Sequence, residues 1–279
     1  MSRLSAIVLV LIAAGPAQAA EKTLDRTFNV SPGGELVVDA DGAGVHVTGS
    51  DGNQVVVHMM VRGSDKELAD LKLDAVQKDN GVTVTLRQSK QSWFSWGGWR
   101  SEQEIRVTVP RRYVINVRTG GGSIDLRDTE GTASLNTSGG DVSAKNVTGK
   151  VKLRTSGGSI LADAIRGDVD ADTSGGDVRL LRIDGSIRGN TSGGSVRCSI
   201  VGANRGISAT TSGGDIELIL PRSIAANIDA ATSGGEITTD IPVTSTRLKD
   251  TELEGTVNGG GERIYAHTSG GSIKLRAEN

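Results

Sequence analysis

A chain of 279 residues with 31 basic and 33 acidic side chains is close to neutral, which removes the basic footprint that nucleic acid or an anionic membrane surface would select. Its 39 Gly and few aromatics (three Trp, two Tyr, two Phe) would fit a low-complexity chain, but Val, Ile and Leu recur at fixed offsets from Gly-Gly pairs, so an ordered protein is expected. A single cysteine excludes an intramolecular disulfide.

Residues 1–19 read as a secretory signal. Arg3 supplies the positive start, Leu4 to Ala14 an apolar run too short to span a bilayer, and Ala17-Gln18-Ala19 a small-residue cleavage site. No Cys follows that site and no later apolar run reaches spanning length, so the mature chain is expected to be exported and not membrane-spanning, in the periplasm, secreted or at the cell surface.

Glu35 to Val61 alternates apolar and polar residues and is expected to form a first pair of coils. Ser64 and Glu67 stand at capping-box spacing, followed by Leu68, Leu71, Ala75 and Val76 on one helical face and Gly81 at the close. That spacing predicts one amphipathic helix over 64–80 that caps the first coils. Strands are expected at Val82 to Leu86 and Ile105 to Val109. Between them, residues 91–100 hold Trp93, Phe94, Trp96 and Trp99. Aromatics gathered in a surface connection suit contact with a glycan, a lipid interface or a protein, and packing back over the coils is the alternative.

From Thr119 the chain is a repeat. Thr-Ser-Gly-Gly, then Asp, Ser or Glu, then Val or Ile, begins at Thr137, Thr155, Thr173, Thr191, Thr211, Thr232 and Thr268, with a degenerate copy at Thr119. From Thr119 to Thr191 the steps are equal, and from there to Thr268 they lengthen. A fixed interval of this size predicts a solenoid whose repeats bury apolar faces against their neighbours. Four residues before the Thr stand Ile115, Ala133, Val151, Val169, Ile187, Ile207, Ile228 and Ile264. Five after it stand Ile124, Val142, Ile160, Val178, Val196, Ile216, Ile237 and Ile273. A third column, ten after, holds Val147, Ile165, Ile183 and Val201. Gly serves the corners, where positive φ or close backbone approach is needed.

The residue after Gly-Gly runs Ser123, Asp141, Ser159, Asp177, Ser195, Asp215, then Glu236 and Ser272. Alternating acid and Ser keeps like charges two coils apart, which fits a structural ladder better than a catalytic carboxylate cluster. Cys198 holds a position filled by Leu180, Leu218 and Leu275 in other repeats and is expected to be a buried structural thiol. Ser272 to Asn279 shows no cap, so an open last coil is expected there, available for self-association.

Neither GxxxxGK[ST] nor a GxGxxG that opens a helix occurs, so no phosphate or dinucleotide cofactor is implied. The Gly pairs lack the Gly-x-Asp spacing of calcium-binding repeats, and His46, His58 and His267 have no partner at metal spacing, so no metal site is implied.

The Thr-Ser-Gly-Gly repeats, Val109-Pro110 before the first of them and Asn258-Gly-Gly-Gly261 before the last resemble the bacterial putative-adhesin domain of unknown function, from about Glu35 to Leu275. The resemblance implies a parallel β-helix related to auto-transporter adhesin heads. The expected fold is thus all-β, a single-stranded parallel β-solenoid with coils of about 18 residues and one short N-terminal capping helix. N-terminal coils (20–118) and regular repeats (119–279) are read as one continuous domain. The expected function is a non-enzymatic adhesin-like or cell-envelope binding module whose contact residues are Trp93, Phe94, Trp96 and Trp99. The alternative is an envelope-stress or scaffolding protein that binds protein partners. A third reading, a polysaccharide-active enzyme, would draw its carboxyls from Asp168, Asp170, Asp172 and Asp177.

Overall fold

A computed structural model describes residues 20–88 and 102–278. The signal segment and all four aromatics from Trp93 to Trp99 lie outside the described residues. Among the described residues the chain is all-β with one short helix, and it divides after Thr137 into two compact units.

The first unit contains β1 (Ala20–Asn29), β2 (Glu35–Ala40), β3 (Gly44–Ser50), β4 (Gln54–Gly63), α1 (Asp65–Ala69), β5 (Leu71–Lys78), β6 (Gly81–Gln88), β7 (Glu102–Pro110), β8 (Val114–Thr119), β9 (Ile124–Glu130) and β10 (Ala133–Thr137). One sheet runs β1-β4-β7-β3-β9 and the other β10-β8-β2-β6-β5. Leu36 of β2 aligns with both Val82 and Ile115, and Val45 of β3 with both Ile105 and Ile124. The first coil in sequence therefore lies between two later ones.

Two expectations fail in this unit. β4 does not form a second parallel coil, because it runs antiparallel to both β1 and β7. The helix predicted over 64–80 is only one turn. Its capping box is present, with Ser64 accepting from the Glu67 N–H while the Glu67 carboxylate accepts from the Ser64 N–H. From Leu71 the chain becomes a strand antiparallel to β6. Leu71 and Ala75 are buried, as a two-residue alternation also allows, whereas Val76, essential to the helical face, is 49% exposed. The strand wins because it completes a ladder with β6, while a helix there would leave the β6 edge unpaired.

Side chains close the outer edge of this unit. Lys22 on β1 donates to the carbonyls of Leu68 (3.1 Å) and Leu71 (2.7 Å), Arg26 donates to Ala75 O (2.8 Å), and Gln77 returns a bond to Asn29 O (2.9 Å). Edge carbonyls that would otherwise face water or another chain are satisfied internally.

The second unit contains β11 (Val142–Thr148), β12 (Val151–Arg154), β13 (Ile160–Arg166), β14 (Val169–Asp172), β15 (Val178–Asp184), β16 (Ile187–Asn190), β17 (Val196–Ile200), β18 (Ile207–Thr211), β19 (Ile216–Leu220), β20 (Ala226–Thr232), β21 (Ile237–Thr239), β22 (Thr244–Lys249), β23 (Glu252–Val257), β24 (Arg263–Thr268) and β25 (Ile273–Ala277). Its strands run β11-β13-β15-β17-β19-β25-β21 in one sheet and β12-β14-β16-β18-β24-β20-β23-β22 in the other. Val142, Ile160, Val178 and Val196 align in register, one from each successive repeat.

After β17 the spatial order leaves the sequence order. Ile216 pairs with Ile273, and Ile273 with Ile237. In the other sheet Ile207 pairs with Ile264, and Ile264 with Ile228. The C-terminal strands are thus inserted between two earlier coils, and the expectation of an open last coil at Ser272 to Asn279 is overturned. β25 has a neighbour on both sides, so it offers no free edge for self-association. The outermost strand of that sheet is the three-residue β21, and the other sheet ends in β22, exposed throughout.

The two main apolar columns are buried, apart from Ile237 on edge strand β21. In the third column Val147, Ile165 and Ile183 are buried but Val201 is 37% exposed, and Ile200 takes its place. Asn146, Ala164 and Arg182 adopt φ of 54°, 55° and 53°, a local bend that leaves two successive residues outside before the chain turns in again. β17 has no such bend, so its inward position comes one residue earlier and Ile183 aligns with Ile200.

Candidate contact surfaces

The Gly-Gly turns are fixed by close approach. A Cβ on Gly158 would stand 2.1 Å from the Gly140 carbonyl oxygen, and one on Gly176 2.3 Å from that of Gly158. The Thr before each pair is buried and ties one coil to the next. Thr155 Oγ1 donates to Gly140 O, Thr173 to Gly158 O and Thr191 to Gly176 O, each at 2.8 Å, and Thr155 Oγ1 also accepts the Gly158 N–H at 3.3 Å. The ladder is therefore Thr to Gly carbonyl, a side chain to a backbone, and it satisfies turn groups the sheets cannot reach.

A second ladder follows on the solvent side. The Ser159 N–H donates to Asp141 (2.7 Å), Asp177 N–H to Ser159 Oγ (3.2 Å), Ser195 N–H to Asp177 (3.0 Å) and Asp215 N–H to Ser195 Oγ (3.2 Å). It continues with Ser272 N–H to Asp215 (2.7 Å) and Glu236 N–H to Ser272 Oγ (3.3 Å). In spatial order the acid and Ser rungs alternate without a break from Asp141 to Glu236. The mismatch in sequence, where Glu236 follows Asp215, disappears because the coil of Ser272 stands between them.

The carboxylates that an enzyme reading would use are committed elsewhere. Asp168 accepts from Ser186 N–H (3.1 Å) and Oγ (2.7 Å), and these bonds hold its carboxyl below the usual carboxylate range. Asp170 and Asp172 are paired with Arg154, and Asp177 with Arg179 (3.0 Å) as well as its ladder partners. Cys198 is fully buried, and desolvation pushes its thiol up to about 12, as a structural thiol requires. Each His faces a carboxylate: His46 with Glu104, His58 with Asp25 and His267 with Asp229. Among the described residues no three His, Cys, Asp or Glu side chains gather as a metal site would need.

The aromatic residues expected to make contact, Trp93, Phe94, Trp96 and Trp99, lie outside the described residues, in the sequence between β6 and β7. β6 ends at Gln88 in one sheet and β7 starts at Glu102 in the other. In the coil made by β8 and β9 the same crossing is made by the turn after Thr119, Gly120-Gly121-Gly122. Residues 89–101 thus stand in the chain where a repeat carries its Gly turn.

Toastrack, DUF4097, matches residues 34–276 of the chain. The chain belongs to the Toastrack family. No curated protein matches it. Similar solved structures include a putative adhesin from Bacteroides fragilis NCTC 9343 (14% identity, 92% of this chain and 97% of that one, TM-score 0.41) and a putative adhesin from Parabacteroides merdae ATCC 43184 (13%, 95% and 98%, 0.35). A third is a putative lipid binding protein from Parabacteroides distasonis ATCC 8503 (12%, 92% and 97%, 0.35). Among the described residues no helix is long and apolar enough to cross a membrane.

One further feature of this Toastrack chain was not read from the sequence. On the outer face of the sheet holding β16, β18, β24 and β20, the rings of Tyr265 and His267 stack at 3.9 Å, and the Arg263 guanidinium lies 4.8 Å from the Tyr265 ring centre. Asp229 bonds both Arg263 and His267, the latter at 2.9 Å. Burial would raise the Asp229 carboxyl, but these two partners outweigh it and hold it below the usual range. The cluster needs Asp229 of β20 beside β24, an adjacency that the repeat spacing does not announce.

Proposed function

We propose that this protein is an exported, non-enzymatic adhesin-like module that binds a component of the cell envelope through Trp93, Phe94, Trp96 and Trp99. The observation that supports this reading is one of sequence: residues 89–101, between β6 and β7 in the chain, hold three Trp and a Phe, where the connection from β8 to β9 is Gly120-Gly121-Gly122. Insertions at one corner of a repeat are where such scaffolds carry their contacts, and aromatic side chains supply most of the contact energy at low conformational cost. The carboxylates open to catalysis are instead bound in ladders and ion pairs. The test is retention of the purified protein on isolated envelope fractions, with the triple variant Trp93→Ala, Trp96→Ala, Trp99→Ala alongside. Retention of the wild type and loss in the variant support the reading; equal retention of both removes the aromatic segment as the contact.

A further inference from the structure

A second candidate surface lies within the second unit. Where the repeat first lengthens, between Thr191 and Thr211, the connection from β17 to β18 passes through Val201-Gly202-Ala203-Asn204-Arg205-Gly206. Asn204 anchors this connection by donating to the carbonyls of Ala225 (3.3 Å) and Glu262 (2.7 Å). The next strand in space is β24, so Arg263 and Tyr265 stand beside Ser208. On the other side Ser208 is aligned with Arg188 of β16. The break in period and the inserted C-terminal coil therefore meet at one place.

What they make is an open groove of about 470 Å³ lined by Ser186, Arg188, Arg205, Ser208, Arg263 and Tyr265. Among its lining residues Ser208 and Gly206 are small, and three carry guanidinium groups. Arg188 has no carboxylate partner among the described residues. Arg205 meets Asp184 at 3.2 Å with both side chains exposed, and Arg263 meets Asp229. The exposed Arg205–Asp184 pair contributes little, so the Arg205 guanidinium can turn to another oxyanion at small cost, while Arg263 stays on Asp229. Asp170, which aligns with Arg188, is already paired with Arg154. Guanidinium forks match carboxylates, while the Ser hydroxyls and the Tyr265 phenol suit sugar hydroxyls. An open trough on a sheet face admits a polymer, whereas a small-molecule site encloses most of its ligand.

We infer that this groove binds a carboxylate-bearing sugar of an acidic polysaccharide, with Arg188 and Arg205 gripping the carboxylate and Arg263 and Tyr265 forming the opposite wall. The site shares no residue with the aromatic segment, and either can fail without the other.

The test is calorimetric titration of the full chain with an oligogalacturonate, with a neutral maltooligosaccharide of equal length and inorganic phosphate as comparison ligands. Arg188→Ala and Arg205→Ala remove exposed side chains, and Arg179→Ala, on the other sheet, serves as a control. Thermal melting checks that each variant is folded. Binding of oligogalacturonate about tenfold weaker in each groove variant, unchanged in Arg179→Ala and in the triple Trp variant, is the expected result. The proposal is overturned if the wild type does not bind, if the neutral sugar binds as well, if phosphate competes at equal concentration, or if the triple Trp variant loses binding while the groove variants keep it.

Discussion

In the second unit, β11 to β17 and β18 to β25 use the same turn chemistry but different topologies. In the first stretch, neighbours in sequence are neighbours in space, and each strand pairs with its equivalent in the next repeat. In the second, the last strands slip between earlier ones, so Ile216 of β19 pairs with Ile273 of β25 and the intervening coil in sequence lies beyond it. Both obey the Thr to Gly carbonyl rule: Thr268 donates to Gly214 and Thr232 to Gly271, as Thr173 does to Gly158. Coil geometry and coil order are therefore separable. The turn fixes how any two coils stack, and in the observed order each Asp or Glu rung after Gly-Gly faces a Ser, which stacking in sequence order would break at Asp215 and Glu236.

That separation can be broken from the order side first. Removing residues 258–279 takes a central strand from each sheet, so hydrogen exchange should lose its protection across 207–257 and stay protected across 142–190. Protection lost only at the last coil in sequence would contradict the inserted order.

The turn side gives the next effect. Gly176→Ala brings a Cβ to 2.3 Å from a backbone carbonyl and should cost more than ~3 kcal/mol, whereas Gly121→Ala, with open space around it, should stay within ~0.5 kcal/mol. Denaturant midpoints measure both. Thr173→Val leaves the Gly158 carbonyl without its buried donor and should cost about 1–2 kcal/mol, with a similar loss for Thr268→Val in the reordered stretch.

The smallest effect is acid dependence in the reordered stretch. The folded Asp229 carboxyl titrates below its unfolded value, so its stabilisation is present above about pH 4 and is lost as pH falls through the folded value. Asp229→Asn should therefore lower the melting temperature near neutral pH and leave it unchanged in strong acid. A variant that loses equally at both would show that the carboxylate charge has no part in the cluster.

Much of this was legible because period and burial follow from side-chain alternation. The apolar columns, the Ser64 and Glu67 capping box and the buried Cys198 all needed only local spacing. Three features were not. Leu71 and Ala75 satisfy a helix and a strand equally, and only pairing with β6 decides between them. Val201 has the right offset, but β17 lacks the left-handed residue that the preceding coils use to bend. Coil order leaves no trace in spacing, yet Glu236 and Ser272 broke the acid and Ser alternation, and that break was the available signal. Of the two proposed contact surfaces, the aromatic segment is legible as composition. The Arg groove is not, because Arg188 and Arg263 come together only through the inserted coil.

The most direct measurement is disulfide trapping of coil order. Glu217 and Lys274 are aligned partners on adjacent strands, while Glu217 and Thr238 are separated by β25. Adjacent Cα atoms at about 4.8 Å suit a disulfide and a two-strand gap of roughly 9.6 Å does not. Cys198, buried with its thiol pushed up to about 12, stays out of the reaction. Glu217→Cys with Lys274→Cys should crosslink on mild oxidation of the folded protein, and Glu217→Cys with Thr238→Cys should not. The reverse pattern would restore a solenoid stacked in sequence order and dissolve the groove along with it.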